Sequence, residues 1–159
     1  MIIAKSQAFA AYDLVGKTLG GKWKVTEQLT KSGTGGNFSI CYLAENDGKE
    51  YFLKALDFSG GRSGFVVDEM SARMNEFRYE RDLSNYCRDK HVNKVVVIAD
   101  SGEEDFPGYV IGTVAYLVFE KADCDVRKFM DISETTDVAW CFKSLKDIAI
   151  GLRNLHNVG

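Results

Sequence analysis

The chain has 159 residues, of which 45% are hydrophobic and 27% charged, a composition typical of one folded globular domain rather than a disordered segment. Its net charge of -3 at neutral pH gives no electrostatic reason to expect nucleic acid or an anionic membrane as a partner. Any phosphate-binding site must therefore be local rather than part of a broad basic surface.

The cysteines and the apolar runs favour a cytoplasmic protein. The cysteines contain no C-x-x-C pair, so neither a metal site nor a disulfide framework is predicted for Cys41, Cys87, Cys124 and Cys141. The opening MIIAKSQAFA has too short an apolar run for a signal peptide, and no stretch is long enough to span a bilayer. We therefore expect a cytoplasmic location, with the cysteines as small core residues.

The first part of the chain predicts three strands after a lead-in. Residues 1–21 form an apolar lead-in that ends in the glycine turn Gly20-Gly21. Strands are expected at 22–30, 38–45 and 50–58, where residues alternate in polarity or are rich in aromatic and β-branched types. The last two strands flank Asn46-Asp47-Gly48, a sequence that strongly favours a hairpin.

The second part predicts a helix, two strands and another helix. From about 66 to 87, apolar residues recur at helical spacing at Met70, Met74, Phe77, Leu83 and Cys87. A buried strand is expected at 95–98, a long turn at 101–112 and a strand at 113–119. A final helix over 137–156 carries the stripe Val138, Phe142, Leu145, Ile148, Leu152 and Leu155. This order predicts an α+β fold with a five-stranded, mostly antiparallel sheet and one inserted helix.

A glycine-rich segment, SGTGGNFSICY from Ser32 to Tyr42, lies between two predicted strands. Glycines there let backbone N–H groups approach a phosphate without a Cβ in the way, although most such segments only turn the chain. The segment does not match the P-loop of nucleotide triphosphatases, because no G-K-[ST] follows. It does not match a dinucleotide fingerprint either, because a strand rather than a helix comes next.

A single lysine, Lys54, stands inside the apolar strand FLKAL. If its ammonium is buried, it needs an anionic partner. Glu76 and Glu80, one turn apart on the following helix, are the two candidates. The alternative is that Lys54 points outward, in an unrelated α+β interaction domain that binds no nucleotide.

Taken in order, these segments resemble the protein kinase family, in particular bacterial serine/threonine kinases of the eukaryotic type. LVGKTLGGKWKV at 14–25 is similar to the start of such domains, and 34–42 is similar to the glycine-rich loop G-x-G-x-x-G-x-V-Y. YFLK at 51–54 is similar to V-A-I-K. Three later segments also resemble kinase motifs. HVNKVV at 91–96 is similar to the turn into the fourth strand, YLVFE at 116–120 to the fifth strand and hinge, and GLRNLHNVG at 151–159 to the end of the helix that leads into the catalytic loop.

The resemblance covers about residues 14–159 and implies a domain organisation. The lead-in at 1–21 would precede a kinase N-lobe over 22–120 and a hinge over 121–124. The start of a truncated C-lobe, with its first helices, would occupy 125–159.

The resemblance also implies an ATP site. Lys54 and Glu80 would be the catalytic pair, with the lysine on the α- and β-phosphates and Glu76 as the rival partner. Nucleotide contacts would come from Gly35, Gly36, the loop-tip Phe38, Ser39, Cys41, Phe52 and the gatekeeper Phe119. The backbones of Glu120 and Ala122 would bond adenine, and Asp125 would lie near the ribose. No metal ligand is assigned.

Two departures from the family pattern bear on activity. Phe52 occupies the place of a small alanine that lies against adenine, so the base would be crowded and a pseudokinase-type regulatory or scaffold module is the alternative. The H-R-D-x-x-x-x-N and D-F-G segments, which orient the substrate hydroxyl and hold magnesium, would follow Gly159 and do not occur in these 159 residues. By family we therefore expect an ATP-dependent protein kinase, but we expect the 159-residue chain alone to be inactive. It should bind ATP weakly or not at all, and magnesium binding is expected only in an intact domain.

The final helix carries a further expectation about partners. In the kinase arrangement its apolar stripe is covered by the large lobe, so here it would face water, with Trp140 on a neighbouring edge. Burying each such side chain is worth about 1.5–3 kcal/mol. We therefore expect a homodimer or higher oligomer held by residues after about Asp125.

Overall fold

The computed structural model describes residues 8–30, 39–59, 67–123, 126, 129–130 and 137–158. Within these ranges a one-turn 3-10 helix (Ala10–Tyr12) precedes six strands and two long helices. The strands are β1 (Thr18–Leu19), β2 (Trp23–Gln28), β3 (Ser39–Asn46), β4 (Lys49–Leu56), β5 (Ile98–Asp105) and β6 (Thr113–Glu120). The helices are α1 (Val67–Asp89) and α2 (Val138–Val158).

The strands form one sheet in the order β1-β2-β3-β4-β6-β5, with every neighbouring pair antiparallel. The predicted α+β class is confirmed, but the predicted count of five strands is one too low. The additional strand, β1, lies in the predicted lead-in. Gly20 and Gly21 take φ values of 55° and 70°, a left-handed turn that glycine adopts readily, and Leu19 returns opposite Trp23.

The hairpin of β3 and β4 fixes which side chains meet. Asp47 and Gly48 have φ values of 50° and 75°, as a two-residue hairpin turn requires, so the expected hairpin is confirmed. The ladder runs without a shift from Asn46 opposite Lys49 to Ser39 opposite Leu56. Opposite residues in an antiparallel pair point to the same face of the sheet. This register therefore decides the composition of both faces.

One face, here called the covered face, is closed by the N-terminal segment 8–19. Its core residues are at most 3% exposed and include Ala10, Ala11, Leu14, Trp23, Val25, Ile40, Tyr42, Ala44, Leu53, Ala55, Val114, Tyr116 and Val118. The Tyr42 hydroxyl donates to the carbonyl oxygen of Ala11 at 2.7 Å. The covered face is thus the main hydrophobic core of the sheet.

The other face, here called the site face, is partly covered by α1. Phe77 and Met74 of this helix pack with Leu56, Ile98, Ala115, Leu117 and Phe119. The expected helix is present, but Leu83, expected on its buried stripe, is 39% exposed. Arg73 and Ser84 are buried instead, so polar residues occupy positions that an apolar pattern cannot mark.

The segment before β6 differs most from the expectation. Residues 95–97 lie outside the sheet, and the strand begins at Ile98 and continues through 101–105, where a turn was expected. Val96 is 76% exposed, whereas Ile98 is buried. The ladder with β6 is made by backbone groups, so the polar sequence SGEED can extend it without apolar side chains.

The chain divides into two compact units, residues 1–82 with 98–121 and residues 83–97 with 122–159. In the second unit, α2 is held by an ion pair of 2.9 Å between Lys94 and Asp147 and by the Asn154 amide, which donates to the Asn93 carbonyl oxygen. A Cβ on Gly151 would lie 2.5 Å from the Lys94 carbonyl oxygen, so the close approach requires glycine.

The apolar stripe of α2 is exposed in the chain as described. Exposed fractions of 51–69% are found for Val138, Phe142, Leu145, Ile148 and Leu152. Trp140 stacks on Phe129 at a ring-centroid distance of 4.6 Å. No helix in the described ranges is both long and apolar enough to cross a membrane.

Candidate functional site

The site begins with a lysine that its strand directs away from the core. Leu53 and Ala55 point into the covered face, so the intervening Lys54 must point to the site face. Its ammonium lies 2.8 Å from Glu80 Oε1 and 2.6 Å from Glu80 Oε2. The expected contact between Lys54 and a carboxylate of α1 is therefore present, and Glu80 makes it. The outward-pointing alternative for Lys54 is wrong.

A small cavity lies beside this pair, between α1 and the sheet. Its volume is about 120 Å³, and its polar lining comes from Ser39, Lys54, Arg73, Glu76 and Glu80. Leu56 and Phe77 form its apolar wall. Pockets for whole organic ligands measure about 300–1,000 Å³. This cavity is therefore of a size for a phosphate-sized group, and its lining balances the cations Lys54 and Arg73 with the carboxylates Glu76 and Glu80.

Aromatic side chains continue the site face next to Lys54. Cys41 lies opposite Lys54, and Phe52 lies opposite both Leu43 and Phe119. The rings of Phe52 and Phe119 are 6.2 Å apart at an interplanar angle of 49°. All of these side chains are half-buried. They present an apolar surface on which a flat ring can pack, although Phe52 occupies part of that space itself.

The remaining expected nucleotide contacts lie at the strand ends or outside the described residues. Glu120 ends β6 and is exposed, and its carboxylate accepts a bond of 2.9 Å from Lys49. Ala122, two residues further along the chain, is exposed. Outside the described residues lie Gly35, Gly36, Phe38 and Asp125. The structure thus brings Ser39, Cys41, Phe52, Lys54, Phe119 and Glu80 to one face and does not describe the glycine-rich loop.

Two buried charged residues, Arg73 and Asp57, were not predicted from the sequence, and Arg73 lines the cavity. Arg73 is 8% exposed, and its Nη1 donates to the backbone carbonyl of Asp57, which is itself 4% exposed. Arg73 precedes Glu80 by two helical turns and so shares its side of α1. This spacing could have indicated the residue, but a search for apolar periodicity passes over a buried arginine.

No family model and no curated protein matches the sequence. Solved kinase domains are nevertheless similar in structure. The crystallised kinase domain of PF14_0431 has a TM-score of 0.59 and 14% identity, over 89% of this chain and 37% of that one. The kinase domain of Mycobacterium tuberculosis PknI has a TM-score of 0.55 and 20% identity, over 91% of this chain and 51% of that one. Vaccinia related kinase 3 has a TM-score of 0.50 and 14% identity, over 88% of this chain and 40% of that one.

These similarities show the fold. The antiparallel sheet with α1 is a kinase N-lobe fold, as the sequence resemblance implied. The chain spans between 37% and 51% of the lengths of the kinase domains that it matches.

Proposed function

We propose that this chain is the ATP-binding part of a protein kinase and that Lys54 binds the α- and β-phosphates. The observation that carries the proposal is the pairing of Lys54 with both oxygens of Glu80 on the site face of a kinase-type sheet. The Glu80 carboxylate holds the Lys54 ammonium in place before an anion binds. Less side-chain conformational entropy is therefore lost when the phosphates bind. Serine/threonine specificity and bacterial origin belong to the same proposal and rest on the likeness to PknI and on the sequence motifs.

The geometry of the site face supports the contacts proposed for its described residues. Lys54 orients the phosphates while Glu80 holds the lysine, and the small polar cavity beside them supports a phosphate-sized occupant. Half-buried Cys41, Phe52 and Phe119 offer the base an apolar surface. ATP, when bound, supplies the phosphoryl group, and kinase chemistry requires a catalytic aspartate and magnesium-binding residues that these 159 residues do not match. We therefore expect weak nucleotide binding at most, without phosphoryl transfer.

Calorimetric titration with ATP, with and without magnesium, tests the binding. Charge-assisted hydrogen bonds contribute about 1.5–3 kcal/mol, so Lys54→Met is expected to weaken binding about 10- to 100-fold. Lys24→Met is the matched control, because Lys24 is an exposed lysine of the same sheet. Equal losses in the two variants, or no binding by the wild-type chain, would overturn the proposal.

The absence of transfer has its own test. Incubation of the chain with radiolabelled ATP and a generic protein acceptor is expected to give labelling at background level. Labelling above background that disappears in Lys54→Met would contradict this part of the proposal.

A second candidate function is a nucleotide-free regulatory or scaffold module of the pseudokinase type. The packing of Phe52 on Phe119 favours it, because the ring stands where a kinase has a small alanine. Phe52→Ala separates the two candidates. If crowding alone weakens ATP, the variant binds more tightly than wild type; if the module is nucleotide-free, neither protein binds.

Self-association through α2 is proposed for the isolated chain. The helix exposes Phe142 at 69% and Leu145 at 63%, with Ile148 one turn further at 53%. Large apolar patches of this kind are usually covered by another surface. Sedimentation equilibrium is expected to show a dimer or higher oligomer that Phe142→Glu dissociates. A wild-type monomer at micromolar concentration would overturn this proposal.

A cytoplasmic location completes the proposal. Cys87 and Cys141 are free thiols, which favours a reducing compartment. Cell fractionation of the native host is expected to recover the protein with cytoplasmic markers, and recovery from a secreted fraction would contradict it.

A further inference from the structure

A part-buried polar network joins the N-terminal segment to the end of β4. The Tyr12 hydroxyl donates to Asp57 Oδ2 at 2.7 Å and lies 2.9 Å from Ser59 Oγ. Asp57 Oδ1 accepts from the backbone N–H of Ser59 at 2.8 Å. The carboxylate of Asp57, three residues after Lys54, is therefore held from two directions.

The same residue is also bonded to α1. Arg73 of this helix donates from Nη1 to the backbone carbonyl oxygen of Asp57, and both residues are buried. A guanidinium is buried only at high cost unless its donors have acceptors. Movement of α1 away from Asp57 would therefore break this hydrogen bond. The Arg73 Nη1 and the Asp57 carbonyl oxygen would then each need another partner.

Arg73 and Glu80 belong to one rigid helix. They are separated by two turns, about 10 Å along the axis, and Phe77 between them packs on the site face. A helix fixed at Arg73 is fixed at Glu80 as well, and Glu80 holds the Lys54 ammonium. Asp57 is thus linked to the lysine through the buried Arg73, the helix α1 and the half-buried Glu80.

We propose that Tyr12, Asp57 and Arg73 form a latch through which the N-terminal segment positions Glu80 and thereby regulates nucleotide binding at Lys54. Its consequence for nucleotide rests on the function proposed above, whereas its effect on α1 does not. The three are positioning residues, since they act on the phosphate site through Glu80.

The N-terminal segment has anchors of its own, which make Tyr12 a fixed point. The backbone N–H of Ala10 donates to the Ile111 carbonyl at 2.9 Å, and the N–H of Ile111 donates to the Ala8 carbonyl at 2.9 Å. Tyr42 bonds Ala11 from the covered face. Displacement of this segment from the hairpin of β5 and β6 would withdraw the Tyr12 hydroxyl from Asp57 and release α1.

Hydrogen exchange of the nucleotide-free chain tests the latch directly. Tyr12→Phe keeps the ring and removes the hydroxyl, and it is expected to raise amide exchange in 67–82 but not in 98–120. Tyr51→Phe is the matched control, because Tyr51 is a half-buried tyrosine of β4 whose ring packs on Trp23 at a centroid distance of 4.8 Å. Unchanged exchange in Tyr12→Phe, or the same increase in both variants, would overturn the proposal.

A double-mutant cycle tests the transmission to the nucleotide. Tyr12→Phe is expected to weaken ATP binding about two- to tenfold, the effect of one hydrogen bond, and to add little in a Glu80→Gln background. Additive losses would overturn the route through Glu80. Absence of ATP binding by the wild-type chain would contradict the proposed function, and the hydrogen-exchange result would still decide whether the latch exists.

Discussion

The two faces of the sheet are built from the same strands and differ in almost every physical property. On the covered face, Tyr42, Leu53 and Ala55 are fully buried beneath the N-terminal segment. On the site face, their neighbours Phe52 and Lys54 are half-buried, and charged groups surround a small cavity. Alternation along each strand therefore separates the residues that stabilise the sheet from those that can meet a ligand.

The largest expected effect contrasts adjacent residues of β4. Leu53→Ala removes a fully buried side chain and should lower the free energy of unfolding by about 2–5 kcal/mol. Phe52→Ala should lower the free energy of unfolding by only about 1 kcal/mol. The Phe52 ring is partly exposed to water in the folded chain, so its removal loses only part of the free energy of burying a phenyl ring. Urea unfolding of both variants gives the comparison. Equal losses would mean that the site face contributes as much stability as the covered face.

A smaller effect concerns alkaline pH. Burial, with Asp100 and Glu104 nearby, raises the pKa of Tyr116 to about 12. An unfolded tyrosine ionises near pH 10, so between pH 10 and 12 the unfolded state binds fewer protons and stability falls as pH rises. Tyr116→Phe is expected to lose less stability than wild type between these pH values. Parallel urea curves at pH 9 and 11.5 check this, and identical pH dependence in both proteins would contradict it.

The smallest expected effect is that of Lys54→Met on stability. Its side chain is 33% exposed and that of Glu80 is 44% exposed, and ion pairs with this much water access contribute about 0–1 kcal/mol. The free energy of unfolding should therefore change by less than about 1 kcal/mol, although ATP binding is expected to fall. A loss as large as that of Leu53→Ala would show that this part of the site face is structural.

The elements that follow a local rule were predictable from the sequence. Asn46-Asp47-Gly48 has the residues that a two-residue hairpin turn needs, and the alternation of β4 directs Lys54 away from the core. The choice between Glu76 and Glu80 was left open, because a helical pattern does not fix the rotation of a helix against a sheet. Packing of Phe77 on the site face leaves Glu80 half-buried and Glu76 exposed.

Other features depend on contacts that no local pattern records. The polar end of β5 is a strand because β6 lies beside it, and the exposed Val96 shows that an apolar run can remain outside a sheet. Arg73 is buried with its Nη1 on the Asp57 carbonyl oxygen, and Asp57 is buried with its carboxylate on the Tyr12 hydroxyl, across sequence separations of 16 and 45 residues. Charged residues are rarely buried, so a prediction from residue type places both of them on the surface.

The uninterrupted ladder between β3 and β4 has a consequence for how the chain can change in length. Eight successive pairs connect the turn to Leu56, and Lys54 is the sixth residue of its strand. Because side chains alternate, one residue inserted between Gly48 and Lys54 would send the ammonium into the core beside Tyr42. Two inserted residues would return it to the face where Glu80 lies. Parity therefore sets the face on which the lysine lies: odd insertions turn it into the core, and even insertions keep it on the site face but move it about 7 Å along the strand for every two residues.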